Sequence, residues 1–573
     1  MPFLKKDISI HFPHLAVLKA SAGSGKTHAL SKRFVQFILS KDVPNNRLQN
    51  ILAVTFSNNA AKEMKERILK WLKLINLNSK KAEEIIQLIS LNKKEASEEA
   101  GKLIDRIFDD YSDFQVKTID SFITSVFKAS SIDFGFNPDF EILMKNNSLL
   151  RYSFNLFLKN VKKGTKEETL FEEIISKIQE QKGNNTSYIW DPAEDILDVI
   201  KEMYGKFAFM WKEPMIEDFS SEMSELHGRL KITVDKIEDV IEKSGLVKSS
   251  GSKYQKFSIA VKEGRFPDII GRAGDRIPVT KTTKKDLLPF YNQISDLWED
   301  ACKLIINYTF LYAHSYFMPY LKVYNEFTNT LENVKRHQGK IFIEDLNRNL
   351  AKYLNGEKAP DVYFRIGETI YHFLIDEFQD TSPIQWKNLF PLLENSLSQN
   401  GSLFVVGDTK QAIYGFRNAD YTIMKSVEEK NPFPSAEYNV GELDINYRSK
   451  QRILEFNEKV FKGNVKNNEK YSEAGEKSGL IDYSQKVDEK NKNAGYAEVV
   501  ICEKNDDDSP IEREKIQELI KELQERGYKY KDIAILTSKN NDVVKITAWL
   551  NEIGIPFISH SSLDIRRRKI IRE

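Results

Sequence analysis

Hydrophobic positions along this chain follow two periods, and the period changes at definite places. The run LAVLKA (15–20) is nearly all apolar and breaks into ASAGSGKT (20–27). THALSKRFVQFIL follows, with Leu30, Phe34, Phe37 and Ile38 on one helical face. ILAVTF (51–56) reads as a buried strand, and SNNAAKEMKERILKWLKLI after it as a basic amphipathic helix. Residues 76–113 are charged and helical in pattern; a short strand QVKTI (115–119) then precedes DSFITSVFK. From 130 to 355 the pattern is helical, rich in Lys/Glu pairs, with a Gly/Ser break at 244–252. Strand-like runs return at YHFLIDE (371–377) and SLFVVGD (402–408). Such continuous apolar strands belong to a parallel sheet covered on both faces, and acidic residues at their ends lie on its reactive edge.

A second α/β unit is expected from about 440, with strands AEVVICE (497–503), DIAILTS (532–538) and PFISH (556–560). Its helices, IEREKIQELIKELQERG and NDVVKITAWLNEIG, both end at glycine, a stop signal. The Lys/Asn/Glu-rich stretch 461–495 reads as a surface loop. No repeat is visible beyond the two units. The fold class is therefore α/β: one parallel-sheet lobe from 1–70, 114–130 and 356–438, helical insertions at 71–113 and 131–355, and a partial second lobe at 439–573.

Composition narrows the choice of partners. The 573 residues are enough for about three or four domains with real cores. Lys+Arg (85) nearly balance Asp+Glu (84), so a nucleic-acid partner needs a local basic groove. Two cysteines, Cys302 and Cys502, argue against a disulfide scaffold and against a zinc or iron–sulfur site. MPFLKKDISIHF has no signal-peptide core, and the longest uncharged run, Leu304 to Leu321, carries too many polar groups for a membrane span. A helix buried in protein fits that run, and the cytoplasm is the expected location.

The strand–loop–helix setting of ASAGSGKT is that of a phosphate loop. Backbone N–H groups of Ala22, Gly23, Ser24 and Gly25 can turn inward around a polyphosphate, and the helix N-terminus adds partial positive charge. Lys26 can reach the β/γ-phosphates, and the Thr27 hydroxyl can hold Mg²⁺. Ala20 stands where the full consensus has glycine. A plain Gly/Ser turn is the alternative, disfavoured by the flanking elements. Asp376 and Glu377 suit nucleotide hydrolysis: Asp376 for the metal, Glu377 to orient and deprotonate the attacking water.

With these come DEFQDT (376–381), GDTKQAIYGFRNAD (407–420), LDINYRS (443–449) and VTFSNNAAKEMKER (54–67). In this order behind the phosphate loop they resemble the motifs of superfamily 1 DNA helicases of the UvrD/Rep type. ASAGSGKT, TIDSF (118–122) and FIEDL (342–346) are closer to the RecB/AddA branch. The resemblance implies two RecA-like lobes, an ATP- and Mg²⁺-dependent motor on single-stranded DNA moving 3′ to 5′, and a place in double-strand-break repair. It also implies two kinds of partner, DNA ends and a second protein of the helicase/nuclease kind, and no membrane. By the same resemblance Gln411 and Arg448 would meet the γ-phosphate, His28 would border the nucleotide, and Tyr447 would stack on adenine. Phe56, Tyr414 and Phe416 would stack on bases, and Arg417 and Thr118 would contact the strand backbone. On their own Phe56 and Phe416 can read as core aromatics, Phe416 less so because it stands next to Arg417 in a Gly-containing loop, and Tyr447-Arg448 as an exposed turn.

Three positions depart from the family pattern. No glutamine precedes the phosphate loop, Asn59 replaces a common lysine, and His28 stands where many relatives have arginine. The later motifs, with a second cleft arginine, are expected beyond Glu573, which makes this sequence the front part of a longer protein with weak hydrolysis of its own. Two rivals remain: a non-motor protein that binds ATP and DNA within a repair complex, and a small-molecule kinase that the DEFQDT and NYRS blocks disfavour.

Overall fold

The computed structural model describes the chain except residues 1–2, 130, 133–134, 138, 144–145, 183–191, 209, 211–214, 250–252, 265–268, 270–275, 355–368, 502–509 and 560–573. It divides into two compact units, Met1–Asn493 and Ala494–Glu573.

The first unit is built on a six-stranded sheet of β1 (His14–Ala20), β2 (Ile51–Thr55), β3 (Val116–Thr118), β6 (His372–Ile375), β7 (Ser402–Gly407) and β8 (Glu437–Leu443). Its order is β3-β2-β6-β7-β1-β8 and every pairing is parallel. Alternation assigns each strand's side chains to two cores. Ala16, Leu18, Ile51, Ala53, Leu374, Phe404 and Val406 join one hydrophobic cluster. Leu15, Val17, Leu52, Val54, Phe373, Ile375, Leu403 and Val405 join the other. The helices α1 (Lys26–Leu39) and α2 (Asn58–Asn76) cover the first face. The helices Ile119–Ala129, Pro383–Ser398 and Tyr421–Glu429 cover the second. Because all strands run the same way, Ala20, Thr55, Thr118, Ile375 and Gly407 end on one edge.

Two expected boundaries move. The strand 437–443, which straddles the boundary expected between 438 and 439, pairs with β1 along its whole length and closes the first sheet. Segment 71–113, read as an insertion, buries Ile75, Ile85, Ala96, Ala100 and Ile107 in the same core as α1 and the sheet. Its apolar stripe completes that face, so it is part of the lobe.

Residues between 131 and 354 are mainly helical, with their own cores. A two-stranded parallel ladder, β4 (Glu141–Leu143) with β5 (Lys340–Phe342), fastens the start of this region to its end. Leu304–Leu321 lies inside the 51-residue helix Leu288–Gln338. Leu304, Ile305, Tyr308, Tyr320 and Leu321 are buried, whereas Ile306, Phe310 and Phe317 are exposed, so the run is amphipathic. No helix of the described residues is long and apolar enough to cross a membrane.

Stretch 461–495, expected as a loop, is largely ordered. It forms a π-turn at Phe461–Val465, a helix at Glu469–Ser478, and β10 (Lys486–Val487) paired with β9 (Ile445–Asn446). The cause is a small satellite core: Phe461 stacks edge-on against Tyr483, and Gly475 sits tightly against Val465 and Ile481.

In the second unit the helices Ile511–Glu525 and Asn540–Glu552 pair through Ile520, Leu550 and an Arg513–Glu552 ion pair of 2.6 Å. The apolar runs at 497–501, 532–538 and 556–559 form no ladder among the described residues. Ile501, Leu536 and Ile558 are exposed. The rest of the first and third expected strands, and the tail IRRRKIIRE, lie outside the described residues.

Candidate nucleotide and DNA site

The phosphate loop leaves the C-terminal end of β1, between β7 and β8. It is closed by its own serines: Ser24 donates to the Ser21 carbonyl from both N–H (3.1 Å) and hydroxyl (2.6 Å). Gly23 has φ +76°, and a Cβ there would lie 2.8–2.9 Å from Asn446 Oδ1 and Arg448 Cβ, so no other residue fits. The NYRS segment therefore rests directly on the loop. Asn446 Nδ2 donates to the Ala22 carbonyl (2.8 Å), Tyr447 N donates to the Gly23 carbonyl (2.9 Å), and Asn446 Oδ1 accepts from Arg448 N (2.9 Å). Tyr447 and Arg448 both project as exposed side chains beside the loop.

Lys26, buried on the first turn of α1, places Nζ 2.6 Å from Glu377 Oε2 and 3.2 Å from Gln411 Oε1. Thr27 Oγ1 is 3.4 Å from Asp376 Oδ2. Burial, and then the charge of Glu377, push Asp376 up to about 6. A hydroxyl and one buried carboxylate are hard oxygen donors, which fits Mg²⁺ sharing its remaining sites with phosphates and water. A bound divalent cation would return Asp376 to its ionised form. Among the described residues no cluster of three or more His, Cys, Asp or Glu side chains offers a self-contained metal cage.

Glu377 stands in the left-handed region at φ +48°, which costs an L-residue about 1–2 kcal/mol. It is held there by Lys26 and by Gln379, whose Nε2 donates to Glu377 Oε2 at 2.7 Å. The other end of the Gln379 amide accepts the Asp408 N–H at 2.9 Å. A Cβ on Gly407 would come within 2.5 Å of that same oxygen, so β7 must end in glycine. Asp408 in turn accepts Gln411 Nε2 (2.7 Å) and pairs with Lys410 (2.8 Å). Lys26, Glu377 and Gln411, expected to act separately, thus form one network with Gln379 and Asp408.

His28 turns elsewhere. Its ring lies on Trp71, with centroids 5.4 Å apart, and Nε2 is 3.6 Å from Glu84. Burial, followed by the charge of Lys32, lowers its pKa.

Next to this network three aromatic rings gather. Phe56, just beyond β2, meets Tyr414 at 4.4 Å, and Tyr414 meets Phe416 at 5.8 Å. The Arg417 guanidinium lies 5.6–5.9 Å from all three ring centres. Phe416 is 78% exposed and therefore is not a core residue; Phe56 and Tyr414 are half-buried. Thr118 is buried, and its hydroxyl accepts the Ser121 N–H (3.2 Å) at the start of the helix Ile119–Ala129, which leaves its proton to donate. The sheet edge thus brings Lys26, Thr27, Asp376, Glu377 and Gln411 into a polar cluster beside the rings of Phe56, Tyr414 and Phe416 and Arg417; Tyr447 and Arg448 stay exposed beside the loop, and the His28 side chain is drawn off toward α2. Gln379, Asn446 and Asp380 escaped the sequence reading although they lie within its quoted motifs. Gln379 and Asn446 reach partners far along the chain, Asp408 N and the Ala22 carbonyl, and Asp380 is marked out by burial, none of which a local motif displays.

A parallel sheet with a phosphate loop at the end of β1, and with acidic residues at the ends of β6 and β7, defines a P-loop nucleotide-binding lobe. The chain belongs to the UvrD/Rep helicase family: residues 5–432 match the UvrD/REP helicase N-terminal domain and residues 442–573 the UvrD-like helicase C-terminal domain. It is similar to an ATP-dependent helicase/nuclease subunit of Pediococcus pentosaceus, 22% identical over 96% of this chain and 48% of the relative. A protein of the same description from Streptococcus pneumoniae is 23% identical over 94% of the chain and 46% of the relative. The exonuclease/helicase subunit RexA of Lactococcus lactis subsp. cremoris is 24% identical over 95% and 47%. The chain spans about half the length of the curated relatives it matches.

Proposed function

We propose that this chain is the motor part of an ATP-dependent DNA helicase or translocase that moves 3′ to 5′ on single-stranded DNA. In this reading it acts on DNA ends in double-strand-break repair, in the cytoplasm, within a helicase/nuclease assembly. One observation carries the reading: the polar network around Lys26 and the exposed ring face around Phe416 adjoin on the same sheet edge. The relatives named as helicase/nuclease subunits support it.

Lys26 releases Glu377 to meet the β/γ-phosphates of ATP, and the freed Glu377 carboxylate orients the attacking water and takes its proton. Thr27 and Asp376 would hold Mg²⁺, which when bound neutralises charge on the phosphate oxygens. Gln411 reports the γ-phosphate to Asp408 and, through Gln379, back to Glu377. Arg448 supplies a cation to the charge that builds up in the transition state, and Tyr447 stacks on the adenine. Phe56, Tyr414 and Phe416 hold bases by stacking, which is indifferent to sequence, and Arg417 and Thr118 hold backbone oxygens.

Steady-state ATP turnover by the full-length protein, with and without oligo-dT, tests this. Turnover that rises with single-stranded DNA is the expected result. Turnover indifferent to DNA, together with DNA binding, would mark a non-motor protein; turnover stimulated by a metabolite instead would mark a kinase.

A further inference from the structure

Between the nucleotide network and the aromatic face lies a small recess. It is lined by Thr55, Phe56, Asp376, Glu377, Asp380 and Gln385 among others, and has room for about one water molecule. Asp380 is buried in its wall, and its Oδ1 has no hydrogen-bond partner among the described residues. A buried carboxylate oxygen without a partner is costly, about 1–3 kcal/mol or more, and calls for a ligand such as an ordered water. The neighbouring polar groups are already engaged. Gln385 Nε2 donates to Asp120 Oδ1 at 3.0 Å, and Gln385 Oε1 accepts from Ser382 N at 3.0 Å. The Asp380 N–H donates to the Glu377 carbonyl at 2.9 Å. The next residue, Thr381, accepts through its carbonyl the N–H of Asp420, where the aromatic loop ends, at 3.1 Å. Asp380 therefore stands one backbone hydrogen bond from the strained Glu377 and one residue from the anchor of the loop that carries Tyr414 and Phe416.

We propose that Asp380 is a positioning residue that couples occupancy of the aromatic face to the Glu377 carboxylate, through a water held on its free oxygen in the recess between Phe56 and Glu377. The inference rests on the motor reading above. A base stacked on Phe56 presses on one end of the recess, and the water and Asp380 pass that displacement to the residue that orients the attacking water. Burial and the charge of Glu377 raise Asp380 to about 7, consistent with a carboxyl that can accept from or donate to such a water near neutral pH.

The test uses the full-length protein and its Asp380→Asn and Asp380→Ser variants, with ATP turnover and oligo-dT affinity measured side by side. The ratio of DNA-stimulated to unstimulated turnover should fall about tenfold, with oligo-dT affinity held within about twofold. In a double-mutant cycle, Phe56→Ala should cost much less stimulation in the Asp380→Asn background than in the wild type. Additive effects, an unchanged ratio, or lost affinity with the ratio intact would each overturn the proposal. So would equal loss of stability and of both turnovers in the two variants, which marks Asp380 as structural. A wild-type protein without DNA stimulation overturns the motor reading and this inference together; stimulation that survives in both variants overturns this inference alone.

Discussion

Glu377 shows how much a single residue is asked to hold. It sits in an unfavourable backbone region, pairs with the phosphate-loop lysine and is braced by Gln379. Glu377→Gln keeps the shape and the hydrogen bonds but removes the base. Turnover in the full-length protein should fall about 10²–10⁴-fold while a fluorescent ATP analogue still binds; turnover at the wild-type rate would remove Glu377 from the chemistry. His372 makes a different kind of prediction. It is fully buried in β6, with Nδ1 2.9 Å from Ser402 Oγ and Nε2 2.7 Å from the Pro44 carbonyl. Burial lowers it to about 4, against 6.5 in the unfolded chain. The unfolded state thus binds more protons between those values, so the stability from neutral His372 is full above pH 6.5 and drains away toward pH 4. From pH 7 to pH 5 the loss is on the order of 2 kcal/mol. His14, also lowered to about 4, adds to the same window. Urea midpoints across this range should drop, and His372→Gln should flatten the slope without abolishing it. A midpoint independent of pH would mean that both rings are more open to water than their burial implies.

At the scale of elements, the aromatic loop and the root of the helical region invite separate tests. Phe416→Ala removes one exposed platform and should cost about 1–3 kcal/mol in oligo-dT affinity measured by anisotropy. Equal binding would leave Phe416 idle. In the helical region, Lys335 is wholly buried on the helix Leu288–Gln338 and pairs with Asp345 (2.6 Å), itself wholly buried at the start of the helix Ile343–Leu354. Glu332 also pairs with Lys335, and Arg348 (2.8 Å) and the Tyr204 hydroxyl complete the cluster. Lys335→Met strands part of that negative charge, so unfolding in urea should become easier by about 3–5 kcal/mol; a smaller loss would mean that Arg348 alone neutralises Asp345. The sequence was informative wherever one element carries its own signal. The phosphate loop, the DEFQDT strand end and the amphipathic α1 and α2 are local strings, and they stand where their pattern puts them. Pairing was less legible. EYNVGEL in β8 is too polar to read as part of a buried sheet, because it is an edge strand with β1 as its sole ladder partner among the described residues. AEVVICE and DIAILTS are apolar enough to read as strands, but hydrophobicity does not supply a neighbour to bond with. The order in 461–495 rests on four side chains and Gly475 in a charged background, too sparse for a periodic signal.

At the scale of the whole chain, the site is assembled from distant pieces. Lys26 meets Glu377 across 351 positions, and Asn446 meets Ala22 across 424. Under the proposed function, the near-neutral charge would offer little long-range pull on DNA, and the holding would fall to the local rings and cations. The sheet order has a further consequence, for the birth of the molecule. β1 lies between β7 and β8 and has no other ladder partners among the described residues. Nearly four hundred residues separate β1 from β7, and a ribosome making about 5–20 residues per second needs about 20–80 s to bridge them. Through that interval the phosphate-loop strand is made but cannot be placed, while the helical region after it can already fold around its own cores. Ribosome-stalled chains that end short of residue 402 should therefore resist protease through much of 146–354 yet be cut readily near residues 14–27. Protection of β1 in such chains would mean that a surrogate takes the place of β7 until it arrives.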